Sequence, residues 1–168
     1  MTYRLLAAAL LVVSPTLASA QVKSTPSAVE GVWKITEVVT TGANAATNAA
    51  PQPSLVIFAR GHYSTLSVNG TSARTAVTPP KDPANPTDAE KIAFYEHWRP
   101  FGANAGTYEV KGTTMTRRPI VAKNHGVMTA EAPTVIEFKL DGDTLWLTSK
   151  SPAGQPESQT RTKLTRVR

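Results

Sequence analysis

Short segments in which apolar and polar residues alternate recur along this 168-residue chain, and tight-turn signals separate them. The clearest pair is 135–140 and 145–149, on either side of Asp141-Gly142, a dipeptide typical of β-hairpin turns. Similar turn signals stand at Arg60-Gly61, Asn69-Gly70 and Lys111-Gly112. A period of two residues predicts strands, and short turns predict that consecutive strands run antiparallel. The pattern therefore indicates an antiparallel β fold.

The hairpin at Asp141-Gly142 has two possible arrangements, which place Trp146 differently. A two-residue turn puts Ile136, Phe138, Leu140, Leu145 and Leu147 on one face. Trp146 then lies on the opposite face, beside Glu137 and Lys139. A three-residue bulged loop would reverse this arrangement and bring Trp146 to the interior. We favour the two-residue turn because it gives the more uniform apolar face.

The hairpin at Lys111-Gly112 gathers a second set of large side chains. With a two-residue turn at this dipeptide, Tyr108 pairs with Met115 across the two strands. Val110 falls on the same face as Tyr108.

One helix is predicted, over about 87–99. Thr87 and Glu90 have the spacing of a capping box, and Pro100 ends the helix. Tyr95 and Trp98 lie one turn apart, so we expect their face to be buried. A helix of this length is not stable alone and is expected to pack on the sheet or to plug one end of it.

The chain as a whole predicts about eight strands joined by meander-like connections. The expected fold class is all-β, an antiparallel up-and-down barrel with one helix, because closure removes exposed strand edges. About eight strands leave an interior that side chains fill or that holds one small ligand.

The first twenty residues have the pattern of a secretory signal peptide. Arg4 precedes an apolar run at 5–13, and small residues end at Ala20, near which cleavage is expected. We therefore divide the chain into a signal peptide (1–20), a flexible lead-in (21–29) and a barrel domain (30–168). Export predicts a periplasmic or secreted protein. No cysteine is present, and no second hydrophobic segment predicts an integral membrane protein.

The formal charge of +6 does not by itself indicate a nucleic-acid partner. Most basic residues are scattered among apolar and hydroxyl residues, as on the solvated face of a strand. The one dense group comprises Arg161, Lys163, Arg166 and Arg168. No recognisable nucleic-acid-binding module interleaves basic and aromatic residues, so nucleic acid is not expected as a partner. The basic terminal strand leaves open a role as an envelope protein-interaction module.

Five short motifs make the chain resemble the bacterial lipocalin-like domains, a group of calycin-type barrels. They are Gly31-Val32-Trp33, Gly61-His62-Tyr63, the segment 106–110, the segment 140–145, and the closing segment 164–167. The resemblance implies that Trp33 packs at the closed end of the barrel, with Arg166 lying across it as a cation–π partner. It also implies a lid-like long loop after the first strand, which 41–53 matches. Gly31, Trp33 and Arg166 are thus expected to be structural.

Catalytic and metal sites have little support in the sequence. Alternation puts Glu37 on the Trp33 face unless a bulge intervenes, so Glu37 is a weak candidate for a buried general acid or base. Arg60 or Arg118 could instead neutralise it. His62, His97 and His125 lack the spacing of a metal-ligand pair. No metal and no cofactor are expected.

The sequence instead favours a secreted lipocalin-like protein that binds a small, partly apolar molecule between its sheet and the helix. The candidate ligand-binding residues are Tyr63, Tyr95, Trp98, Tyr108, Phe138 and, as an anchor for an anionic head, Arg118. Alternatively, these aromatic side chains pack in the core and do not contact a ligand. A barrel isomerase or cyclase that uses Glu37, and the envelope interaction module, are the alternative functions.

Overall fold

The computed structural model describes residues 27–168. The predicted signal peptide (1–20), its cleavage point and most of the lead-in lie outside the described residues. Val29, at the end of the predicted lead-in, is fully buried in the core. Ordered packing therefore begins at or before Val29.

Nine strands and two helices form in the described part of the chain. The strands are β1 (Gly31–Gly42), β2 (Ala46–Asn48), β3 (Ser54–Ala59), β4 (His62–Val68), β5 (Phe101–Lys111), β6 (Thr114–Ala122), β7 (Thr134–Asp141), β8 (Thr144–Lys150) and β9 (Ser158–Arg166). The helices are α1 (Asp88–Trp98) and α2 (His125–Met128). No helix within residues 27–168 has the length and apolar character needed to cross a bilayer.

Eight of the strands close into an antiparallel barrel. β3 to β9 pair in chain order, and β1 pairs with β3 on one side and with β9 on the other. The remaining strand, β2, pairs only with β1. It lies within the segment 41–53, which was predicted to be a loop. The predicted all-β up-and-down barrel with a helix near 87–99 is confirmed. Closure leaves each of the eight strands with two hydrogen-bonded neighbours.

The two ends of the barrel differ in their connections. At one end, which we call the closed end, two-residue turns join β3 to β4, β5 to β6 and β7 to β8. Arg60 and Gly61 both have positive φ in the first of these turns, as a tight hairpin requires. The other end, the open end, carries the longer connections 43–53, 69–100, 123–133 and 151–157.

Trp33 and Arg166 seal the closed end. Trp33 is fully buried, and the Arg166 guanidinium lies 4.1 Å from the centroid of its ring, the contact that the resemblance implies. Arg166 also donates to the carbonyl of Glu30 at 2.7 Å and faces Asp143 at 3.4 Å. Gly31 has a φ of 138°, and a Cβ at this position would collide with the Arg166 guanidinium. Glycine is therefore required where the arginine crosses the first strand.

The hairpin registers determine which side chains face the interior. Leu140 pairs with Leu145 across a two-residue turn, so the predicted exclusion of Trp146 from the interior is confirmed. The β5–β6 turn begins one residue later than predicted, which shifts the cross-strand pairing by two residues and leaves the same side chains facing inward. The turn residues there are Gly112 and Thr113, so Val110 faces Met115. Tyr108 consequently faces Arg117, not Met115.

A β-bulge at Thr36 overturns the prediction for Glu37. Ile35 pairs with the buried Leu164, whereas Glu37 pairs with its neighbour Lys163, so Thr36 is the extra residue. The bulge reverses the alternation, and Glu37 points out of the barrel. The expectation that Glu37 faces the interior as a buried acid or base is therefore wrong, and the isomerase or cyclase alternative loses the residue on which it was built.

Helix α1 forms as predicted but does not bury its apolar side chains. Thr87 and Glu90 make the predicted capping box. However, α1 has no buried residue, and Ile92, Tyr95 and Trp98 are 62%, 59% and 43% exposed. The expectation of a buried face is wrong because α1 is not covered by the sheet. Its C-terminal end is instead attached by Lys123, which donates to the carbonyls of Arg99 and Phe101 at 3.1 and 2.9 Å.

We predict that Arg166→Met lowers the free energy of unfolding by about 2 kcal/mol. The substitution removes the cation–π contact with Trp33 and the hydrogen bond to the Glu30 carbonyl at the closed end. Arg168→Met is the matched control, since Arg168 also contacts Asp143 but is 85% exposed. Its effect should stay below about 0.5 kcal/mol. Urea denaturation of both variants measures the difference, and equal effects would contradict the role given to Arg166.

Candidate binding site in the barrel

The interior of the barrel changes character from one end to the other. In the closed half, the inward side chains are apolar and almost inaccessible: Trp33, Phe58, Met115, Leu145 and Leu164 are 0–1% exposed. In the open half, strand alternation points hydroxyl and amide side chains inward, namely Ser54, Thr65, Ser67, Asn104, Ser149, Thr160 and Thr162. These seven residues all keep accessible surface although they face inward. The open half, which we call the lumen, therefore carries hydroxyl and amide groups among apolar side chains such as Val38 and Phe138, above an apolar floor.

Arg117 lies where the two halves meet. It is two residues beyond the fully buried Met115 on β6, so it shares the inward face. Its guanidinium carbon lies 5.0 Å from the ring centroid of Phe58 and 4.8 Å from that of Tyr63. The Arg117 Nε–H donates to the sulfur of Met115 at 3.3 Å. Two aromatic rings and a thioether thus hold one cation inside the barrel.

No carboxylate neutralises this cation. The four ion pairs within residues 27–168 involve Asp88, Glu96 and Asp143, and none includes Arg117. The Arg117 Nη2 atom is sealed from solvent without a hydrogen-bond partner, as is the hydroxyl of Thr65 on β4. Loss of hydration is the cause that lowers the pKa of Arg117 to about 10. Arg117 as a whole is half-buried, but part of its guanidinium is removed from water without an ionic partner, and such loss of hydration is costly.

The neighbouring tyrosines remain neutral. Burial raises the pKa of Tyr63 above its usual value, and the positive charge of Arg117 only partly opposes this. Burial and the charge of Glu30 raise the pKa of Tyr108. The Tyr108 hydroxyl approaches Ser27 but makes no well-formed hydrogen bond and is buried. Neither phenol supplies a negative charge to Arg117 at neutral pH.

The six predicted ligand-binding residues do not form one cluster. Tyr63 and Tyr108 point into the barrel, and Phe138 packs partly buried against the core. Tyr95 and Trp98 lie exposed on α1, outside the barrel. Tyr95 borders a separate cavity of about 430 Å³ between α1, α2 and the rim of β5 and β6.

Arg118, the predicted anionic anchor, faces outward, and Arg117 takes the inward position. The reason is the strand period: Met115 and Arg117 share a face, and Arg118 is on the other. The sequence contained this signal, because Met115 was already predicted to face Tyr108.

The remaining predicted sites are dispersed in the described structure. His62 and His125 are exposed, and no group of three or more His, Asp or Glu side chains that could hold a metal ion occurs within residues 27–168. The basic terminal residues do not form a single patch. Arg166 covers Trp33 and Arg168 contacts Asp143, while Arg161 and Lys163 lie on the outer face of β9.

Comparisons with known proteins show similarity at the level of structure alone. No protein-family model matches the sequence, and no curated protein matches it. The fold is similar to that of an uncharacterized protein from Bacteroides eggerthii, with a TM-score of 0.43 and 9% sequence identity. The similarity covers 82% of this chain and 98% of that protein. The site is therefore interpreted from its own geometry.

We predict that Arg117→Met raises the free energy of unfolding by about 1 kcal/mol at pH 7, because a side chain of similar length removes an unpaired buried charge. The folded state lowers the pKa of Arg117, so the cost of the charge is fully present below the folded pKa of about 10 and shrinks as pH rises through that value. The advantage of the variant over wild type should therefore decrease above pH 10.

Urea denaturation at several pH values measures this difference, with Arg118→Met as the control for loss of an exposed charge. A clear loss of stability in Arg117→Met would mean that the cation has a stabilising partner.

Proposed function

We propose that the open half of the barrel binds a small amphipathic anion whose charged group pairs with Arg117. The observation that carries the proposal is the unpaired Arg117 guanidinium on the inward face, below a lumen lined by hydroxyl groups. A carboxylate, sulfonate or phosphate would supply the missing counter-charge. The structural cost of the unpaired cation would then be recovered when the ligand binds.

The surroundings of Arg117 suit a ligand in which a charged group is attached to a flat or apolar part. A guanidinium offers donors in a planar fork, which matches carboxylate and phosphate oxygens. Phe58 and Tyr63 flank the guanidinium and give apolar surface next to the charge. Thr65 and Asn104 face inward on adjacent strands above it and can bond polar groups of the ligand. Binding sites commonly combine apolar walls with a few placed polar groups in this way.

The resemblance to lipocalin-like barrels supports the same proposal. A closed barrel of about eight strands has room for one small ligand when side chains do not fill it. The signal-peptide pattern of 1–20 adds that the protein would meet this ligand in the periplasm or outside the cell. Because hydroxyl groups and apolar side chains both line the lumen, we expect a ligand that has polar and apolar parts.

Two fluorescent probes that differ in charge test the proposal. One is 1-anilinonaphthalene-8-sulfonate, and the other is N-phenyl-1-naphthylamine, which has the same rings without the sulfonate. We predict that Arg117→Met weakens binding of the sulfonate probe by about tenfold or more, since a charge-assisted contact is worth more than 1 kcal/mol. Binding of the uncharged probe should change little.

Arg118→Met is the matched control, because it removes the same charge from the outer face one residue away. It should leave the affinity for both probes at the wild-type value. Equal weakening by Arg117→Met and Arg118→Met, or no weakening by either, would exclude Arg117 as the anchor. The probes are read by fluorescence titration of the purified variants.

A further inference from the structure

A second concave surface lies on the outside of the barrel, across β7, β8, β9 and β1. It is a groove of about 710 Å³. Its outward side chains are Glu37, Val39 and Thr41 from β1, Gln159, Arg161 and Lys163 from β9, Trp146 and Thr148 from β8, and Glu137 and Lys139 from β7. This volume is in the range of small-molecule sites. The groove is separate from the lumen, because alternation points these side chains away from the interior.

Trp146 is the central aromatic side chain of the groove. It pairs with Lys139 on one neighbouring strand and with Lys163 on the other. The Lys139 ammonium lies 5.6 Å from the centroid of the Trp146 ring, and the Arg161 guanidinium lies 5.7 Å from it. Both distances are near the outer limit of a cation–π contact. A partly exposed indole ring thus stands between cations on the surface of the sheet.

The charged side chains of the groove are not paired with one another. Glu37 is directly opposite Lys163 in the β1–β9 register. Even so, the four ion pairs within the described residues include none of the five charged side chains of the groove: Glu37, Glu137, Lys139, Arg161 and Lys163. Three cations and two carboxylates of the groove therefore have no ion-pair partner among residues 27–168, and two of the cations, Lys139 and Arg161, contact the Trp146 ring at long distance.

We propose that this groove binds an acidic saccharide of the uronic-acid type. A sugar ring presents an apolar C–H face, which packs against an aromatic ring such as Trp146. Its hydroxyl groups donate to carboxylates, which Glu37 and Glu137 supply at the two sides of the groove. Its own carboxylate pairs with Arg161, Lys139 or Lys163. The mixture of acceptors and cations around one indole fits a ligand that has both hydroxyl groups and negative charge.

A nucleic-acid strand fits the same groove less well. Single-strand binding uses a basic track along the backbone together with several stacking rings. Here two carboxylates would face the phosphates. Of the two aromatic residues at the groove, Trp146 lies on the outer face and Phe138 faces the interior. The carboxylates thus favour a ligand with many hydroxyl donors.

Titration with trigalacturonic acid tests the inference, and its fully methyl-esterified form serves as the uncharged counterpart. We expect the acid to bind at low ionic strength and to quench tryptophan fluorescence. Trp146→Ala should weaken this binding about tenfold or more, because it removes the ring on which the sugar packs. Trp98→Ala removes an exposed tryptophan from α1 and should leave the affinity unchanged.

A double variant, Lys139→Gln with Arg161→Gln, separates charge from stacking. It should weaken binding of the acid but not of the methyl ester. Calorimetry measures both affinities, and circular dichroism checks that each variant remains folded. Arg118→Met, which removes an outward charge from β6 that does not line the groove, should not change either affinity. The inference is overturned if trigalacturonic acid does not bind, if Trp146→Ala binds it normally, or if oligothymidylate binds more tightly at the same salt concentration.

Discussion

Pairing of β1 with β9 is the interaction on which the rest of the structure depends. It joins the first strand of the barrel to the last and closes an open sheet of eight strands, with β2 as an added strand that pairs on one side only. Arg166 reinforces this closure, since it lies on Trp33 and reaches the carbonyl of Glu30 before the first strand begins. Gly31 has a positive φ and no Cβ, so the Arg166 side chain has room to cross the first strand. The Trp33–Arg166 contact therefore has a structural role at the closed end. Ligand binding is proposed for two other surfaces, the lumen and the outer groove.

Closure also creates an inside and an outside with different chemistry. Inside, the apolar side chains occupy the closed half, while the open half is lined with hydroxyl groups and ends on Arg117. Outside, the β-bulge at Thr36 turns Glu37 and Val39 away from the interior and completes the wall of the Trp146 groove. One bulge thus moves a carboxylate from the inward face of β1 to its outward face.

Much of the fold could be predicted from the sequence because it depends on local patterns. Alternation and turn dipeptides predict the strands, the capping box of Thr87 and Glu90 predicts α1, and the Asp141-Gly142 turn predicts that Trp146 lies outside. The site was harder to predict for two reasons. A bulge at Thr36, which the sequence does not mark, reverses the direction of Glu37. Strand alternation from Met115 did place Arg117 inward and Arg118 outward, but Arg118 was chosen as the anchor without applying it. The exposure of α1 depends on tertiary packing, which an apolar pattern on a helix does not determine.

The central claim is that Arg117 holds the charged end of a small ligand inside the barrel. Native mass spectrometry of the protein purified without denaturation tests this most directly, with Arg117→Met and Arg118→Met purified in parallel. The account predicts a bound small anion in wild type and in Arg118→Met that is lost in Arg117→Met. An adduct that Arg117→Met retains at the wild-type level would contradict the account.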